Sequence, residues 1–150
     1  MIAVIQRVQS CSVWIKNQKK SSTGKGILIL LGVEKHDSAF DIKYLTNKII
    51  KLRIFNDSNN QMNLSVKEIE GDIMIVSQFT LCADISKGNR PSYINAMEPK
   101  EAEKLYNAFI KCMKKNYAHV NQGIFKANMN IDFINSGPVT IIARSNHASN

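Results

Sequence analysis

Gly26-Ile27-Leu28-Ile29-Leu30-Leu31-Gly32-Val33 is a continuous apolar run bounded by glycines. It does not alternate, and it is far shorter than the ~20 apolar residues that span a bilayer. The pattern predicts a β-strand buried on both faces. On its N-terminal side, Ile2 to Val8 and Cys11 to Lys16 are rich in β-branched residues and read as two strands. Asn17-Gln18-Lys19-Lys20 supplies a polar turn, with a third strand expected toward Gly24.

On its C-terminal side, Asp37 and Ser38 offer N-cap oxygens for a helix reaching about Leu52. Phe40, Tyr44, Leu45, Lys48 and Ile49 recur at helical spacing, which leaves Ile42 and Lys43 on other faces. Arg53-Ile54-Phe55 reads as a short strand entering the polar loop Asn56 to Gln61, and Asp72 to Leu81 as a second long apolar strand. An irregular connection, Ala83 to Pro99, follows. Pro99 then opens a second helix, in the first turn where a missing N–H is harmless. That helix runs to about Lys115 with Ala102, Leu105, Tyr106, Phe109 and Met113 on one face. Two last strands, Met129 to Ile134 and Val139 to Ala143, flank Asn135-Ser136-Gly137-Pro138. Many strands with two helices indicate a mixed α/β domain. No repeat or linker divides residues 1–150, and the polar tail Arg144 to Asn150 is expected to fray.

With 150 residues and 44% hydrophobic content, the chain suits one domain with one core. Nothing resembles a transmembrane span or a cleavable leader, so the expectation is a cytoplasmic protein without a membrane partner. Cys11, Cys82 and Cys112 are odd in number and widely spaced, which favours reduced thiols over disulfides. The net charge of +8 suits a polyanion such as RNA, although a drift toward Lys and Asn would raise the charge equally.

The familiar catalytic patterns are missing. His36, His119 and His147 are not paired at metal-ligand spacing, so no metal and no cofactor is expected. There is no Walker-A sequence, no GxGxxG and no GxSxG. Cys112 reads as a helix thiol rather than a nucleophile.

Two segments stand out. Ser77-Gln78-Phe79-Thr80 places three polar side chains at the end of an apolar strand, where they are either satisfied by a neighbour or mark a site. Gly137-Pro138 between strands is either an ordinary turn or a cis peptide held for a reason.

These segments and their surroundings resemble the D-aminoacyl-tRNA deacylase family. The likeness runs from Ala3-Val4-Ile5-Gln6-Arg7-Val8 through Leu30-Leu31-Gly32-Val33, Leu52-Arg53-Ile54-Phe55 and Met62-Asn63-Leu64-Ser65. It continues through Val76-Ser77-Gln78-Phe79-Thr80-Leu81 and Lys87-Gly88-Asn89-Arg90-Pro91-Ser92 to Gly137-Pro138-Val139-Thr140. The common order and spacing of the set are specific, whereas each piece alone is weak.

The resemblance implies a deacylase-type fold of mostly antiparallel sheet with two main helices, and a homodimer whose active sites lie at the subunit interface. Ser77, Gln78, Phe79 and Thr80 would form the catalytic wall. Gly137 and Pro138, in the cis form, would reach into the other subunit's pocket, capture the amino group with their carbonyls and exclude an L-side chain. Arg7 would hold that loop and Met129 would line the pocket. The implied reaction is hydrolysis of D-aminoacyl-tRNA, with glycyl-tRNA as a second substrate because glycine has no side chain to exclude. The neighbouring ribose hydroxyl would assist water, while backbone N–H groups near Gln78 and Phe79 stabilise the oxyanion. Thr80 as nucleophile ranks second for lack of a base. Lys87, Arg90, Lys111, Lys114 and Lys115 would guide the RNA. The chain departs from the family's habit at Cys82 (often aromatic), Asn89 (often basic), Lys126 (commonly glycine) and Ser136 (commonly aspartate). The competing reading is a non-catalytic nucleic-acid-binding dimer of the same fold.

Overall fold

The apolar run of Gly26–Gly32 does become a strand (β3) with both faces covered, and the rest of the molecule is arranged around it. The structure is a computed structural model that describes residues 1–145. Its strands are β1 (Ile2–Ile15), β2 (Gln18–Thr23), β3 (Gly26–Gly32), β4 (Arg53–Asn56), β5 (Met62–Ser65), β6 (Asp72–Ser77), β7 (Val120–Gln122) and β8 (Asn130–Arg144). Two helices, α1 (Ala39–Ile50) and α2 (Pro99–Asn116), and a 3₁₀ turn over Phe79–Cys82 complete it. The main sheet runs β2-β1-β3-β6-β7 with β8 also on β1; β4 and β5 form a separate ribbon. β1 is antiparallel to β2, β3 and β8, whereas β3–β6 and β6–β7 are parallel.

Alternate residues of a strand point to opposite faces. Ile27, Ile29 and Leu31 of β3, with Ile73 and Ile75 of β6, pack against Leu45 and Ile49 of α1 and Tyr106, Phe109 and Met113 of α2. Leu28, Met74 and Val76 point the other way, into a second cluster with Val8, Cys11 and Val13 of β1. Met129, Ile131 and Phe133 close that cluster. Each fully buried side chain of this kind contributes roughly 1.5–3 kcal/mol.

The structure corrects several local expectations. The two strands expected at Ile2–Val8 and Cys11–Lys16 are one, because Gln9-Ser10 contains no breaker. A bulge absorbs the irregularity: Val8 pairs Asn135 and Cys11 pairs Phe133. The following turn is Lys16-Asn17, both at positive φ (47° and 60°), as a two-residue hairpin turn requires; Gln18, Lys19 and Lys20 already belong to β2. In α1 the buried apolar residues are Ile42, Leu45, Ile49 and Ile50, while Phe40 and Tyr44 are exposed. The core therefore lies on a stripe rotated from the one expected. β5 and the three-residue β7 are too short to show periodicity in the sequence.

The strand expected through Leu81 ends at Ser77, because β3 beside it ends at Gly32 and the chain turns across it. Near the C-terminus the expected pair of strands is a single strand, β8, paired with β1 on both sides of Gly137-Pro138. Between Asn135↔Val8 and Thr140↔Gln6, five steps on β8 (140 − 135) match two on β1 (8 − 6). The three surplus residues loop out without reversing the chain. Asn135 ties the base of this bulge: its Nδ2 donates to Thr140 Oγ1 (3.1 Å) and its Oδ1 accepts from Val139 N (3.3 Å).

Of the tail expected to fray, Arg144 closes β8. Ser145 is buried, accepting from the Met1 amine at 2.9 Å and donating its N–H to Met1 O at 3.0 Å. The remainder, His147 included, lies outside the described residues. Among the described residues, no helix is long and apolar enough to cross a membrane.

Helix α1 starts with a capping box. Ser38 Oγ accepts from Phe40 N at 3.3 Å, and Asp41 Oδ2 accepts from Ser38 N at 2.8 Å. Ser38→Ala is expected to lower stability by about 1 kcal/mol. Calorimetry should show a fall in Tm of about 2–4 °C in a domain of this size.

Candidate active site

The parallel strands β3 and β6 end side by side, Leu31 opposite Ser77. One residue later Gln78 N donates to Leu31 O at 2.8 Å, and the chain leaves the sheet as the Phe79–Cys82 turn. Gly32 permits this crossing: a Cβ there would lie 3.0 Å from Leu81 Cβ and 3.1 Å from Gln78 O. Tyr106 of α2 braces the end of β6 by donating from its hydroxyl to Ile75 O at 3.0 Å, and burial pushes its phenol pKa well up.

Beyond these strand ends opens a cavity of about 680 Å³, within the range of small-ligand sites. Leu31, Val33, Val76, Met97, Met129 and Ile131 make its wall largely apolar, and Ser77, Gln78 and Asn128 add neutral polar groups. Its charged lining residues are Glu98 and Lys126. Among the described residues no histidine or cysteine lines it.

Ser77 and Gln78 are half-buried, whereas Phe79 and Thr80 are exposed. Ser77, Gln78, Phe79 and Met129 line the cavity; Thr80 does not, and its hydroxyl accepts from the Gln78 side-chain amide. The Gln78 N–H is already taken by Leu31, but the N–H groups of Phe79 and Thr80, at the open end of the turn, have no acceptor among the described residues. Phe79 meets Tyr93 edge to face, ring centroids 5.0 Å apart, at the cavity mouth. Sequence patterns do not mark Tyr93, Glu98, Phe125 or Asn128, which also line the cavity. They lie on irregular connections or at a helix edge, where no periodicity marks them.

Arg7, Gly137 and Pro138 do not line the cavity of their own chain. Gly137 and Pro138 are exposed in the β8 bulge, joined by a cis peptide bond. Arg7 holds the bulge: its Nε donates to Ser136 O (3.1 Å), and its Nη1 to Ile54 O (2.7 Å) and Asn56 Oδ1 (3.2 Å). One guanidinium thus ties β4 to β8. Gly137, at φ +118°, leaves room for it; a Cβ would sit 2.6 Å from Arg7 Nη2.

Other reactive groups are poorly placed for chemistry. The Cys82 thiol donates to Val33 O at 3.5 Å, and burial, with Glu34 and Asp37 adding to it, pushes its pKa up to about 11. Burial does the same to Cys11 (about 11). Both stay protonated near neutral pH and are weak nucleophiles. His36 is exposed, and His119 sits 3.9 Å from Asp72, away from the cavity. Among the described residues no cluster of His, Cys, Asp and Glu is arranged to hold a metal ion.

Comparison with known proteins gives a consistent result. The family described as D-Tyr-tRNA(Tyr) deacylase matches residues 4–144. The chain is 51% identical to a protein of Thermodesulfovibrio yellowstonii named D-aminoacyl-tRNA deacylase, over 95% of this chain and 97% of that one. It is 48% identical to a protein of the same name from Flavobacterium johnsoniae, covering 97% of each. Among solved structures, a "c-Myc DNA Unwinding Element Binding Protein" superposes with a TM-score of 0.93 at 37% identity, covering 96% of this chain and 98% of that one. A probable eukaryotic D-amino acid tRNA deacylase shares the fold, with a TM-score of 0.82 at 18% identity, covering 95% and 97%.

The Arg7 clamp can be tested without any substrate. A lysine keeps the charge but cannot fork between β4 and β8. Arg7→Lys is expected to lower stability by about 2 kcal/mol, the loss of charge-assisted hydrogen bonds. Arg7→Ala should cost more, because the carbonyls of Ile54 and Ser136 then lose their donor. Denaturant midpoints read both.

Proposed function

Since the chain belongs to the D-Tyr-tRNA(Tyr) deacylase family, we propose that its cavity hydrolyses the ester linking a D-amino acid to the terminal ribose of tRNA. The observation that carries this reading is the polar wall at the end of β6. Phe79 and Thr80 offer backbone N–H groups there without an acceptor, in a cavity that no histidine or cysteine among the described residues lines. Such a site suits a reaction in which the protein orients an ester and stabilises the oxyanion. A water molecule attacks the ester carbonyl. The Phe79 N–H, with Thr80 beside it, receives the charge that develops on the carbonyl oxygen. The neighbouring ribose hydroxyl assists, and the leaving ribose oxygen takes up a proton. Ser77 and Gln78 orient the aminoacyl group. Phe79 and Tyr93 offer faces on which a base can stack.

In this reading the working form is a homodimer. Gly137 and Pro138 are exposed and rigidly held by Arg7, yet stand away from their own cavity. They enter the cavity of the partner subunit, where their carbonyls accept from the substrate ammonium and their bulk fills the space an L-side chain needs. The exposed Ile134 and Ile142 of β8 flank the bulge and favour burial against a partner. Glycine, having no side chain, is not excluded, so glycyl-tRNA is a second substrate. The enzyme works in the cytoplasm, where aminoacyl-tRNA is made.

A second reading is a nucleic-acid-binding protein without catalysis. The net charge of +8 and the likeness to a protein named for binding DNA favour it. Turnover of matched D-aminoacyl-, L-aminoacyl- and glycyl-tRNA by the purified chain separates the two. The D- and glycyl forms should be deacylated and the L-form spared; binding without turnover supports the second reading.

Two further outcomes bear on mechanism. Thr80→Ala should lower kcat by less than about tenfold, because Thr80 steadies the Gln78 side chain; loss of a true nucleophile costs on the order of 10⁶. Sedimentation should find a dimer at assay concentration. Full activity in a monomer would refute the shared site.

A further inference from the structure

Ile124-Phe125-Lys126-Ala127 makes a tight turn in the β7–β8 connection, closed by Ala127 N donating to Ile124 O at 3.2 Å. Lys126 occupies its third position at φ +63°, while Phe125 keeps an ordinary negative φ. A turn of that form favours glycine or asparagine at the third position, since a Cβ is strained in the left-handed region. Lysine gains nothing locally in exchange. Its side chain is exposed, and among the described residues its ammonium has no hydrogen-bond or ion-pair partner. Glu98, the other charged residue on the cavity wall, is not paired with it. What the position does provide is a place on the cavity, where Lys126 is the sole cation among the described residues that line it.

From this placement we propose that Lys126 is a substrate-binding residue that takes the phosphodiester on the 5′ side of the aminoacylated terminal nucleotide. The inference rests on the reading of the cavity as an aminoacyl-tRNA site. The ribose that carries the ester also carries that phosphodiester, so an ester placed against the Phe79 turn brings one phosphate charge close to the cavity rim. An ammonium without an intramolecular partner meets it without first breaking an ion pair. The backbone strain at Lys126 is then retained for RNA recognition and not for the fold. The basic surface continues nearby: Lys114, in the last turn of α2, donates to Gln122 Oε1 at 2.9 Å, just before this same connection.

Lys126→Asn tests the contact, because asparagine tolerates positive φ while removing the charge. With D-aminoacyl-tRNA its KM should rise about tenfold, the equivalent of one charge-assisted hydrogen bond, with kcat retained. The increase of log KM with log salt should become shallower by about 0.7, as for one single-strand phosphate contact. Lys126→Arg should restore both. With a D-aminoacyl-adenosine that lacks the phosphate, the Asn variant should lose its disadvantage. An equal rise of KM on both substrates, or a variant that matches the wild type on tRNA, overturns the phosphate contact. A wild-type chain that does not deacylate D-aminoacyl-tRNA overturns the reading of the cavity itself, a result distinct from either.

Discussion

Everything in this molecule follows from burying β3 on both faces beside its parallel neighbour β6. Strands paired in parallel are joined by a crossover and not a hairpin, and a strand with both faces buried needs a layer on each side. The helices must cover one face, and the curled β1–β8 pair must cover the other. The two layers stop where the strands stop, at Leu31 and Ser77. The cavity is the space left between those layers at the strand ends, with the 3₁₀ turn crossing one side. The site is therefore a consequence of how two faces of one sheet are closed.

The same geometry decides the kind of chemistry available. Gln78 donates its N–H back to the sheet, and the next two N–H groups have no acceptor among the described residues. Backbone donors held by a turn need little reorganisation when charge develops, which is the property an oxyanion site requires. Cys11 and Cys82 are protonated and packed into the core, and His119 lies at the other end of the sheet.

A parallel logic holds at the β8 bulge. Three surplus residues are accommodated without breaking the β1–β8 pairing, because Asn135 ties the base and Arg7 ties the side. Arg7 comes from β1, the strand that the bulge distorts, and it also fixes β4. The exposed segment is thus presented on a stiff support, in contrast to an ordinary surface loop.

The sequence by itself determined that β3 is buried on both faces, that Ser38 and Pro99 start the helices, and that Ala102, Tyr106, Phe109 and Met113 face the core. Those features are written in neighbouring residues, through periodicity and capping. It also marked Ser77–Thr80 and Gly137-Pro138 as unusual, since polar groups on an apolar strand and a proline within sheet break local rules. Only the tertiary structure decided that Phe79 leaves the sheet, that Gly137 sits in a bulge and not a hairpin, and that Tyr93, Glu98 and Lys126 meet the same cavity. Those outcomes depend on where β3 happens to end, on register between β1 and β8, and on connections that carry no period. Such long-range packing places side chains together without leaving a trace in the residues on either side.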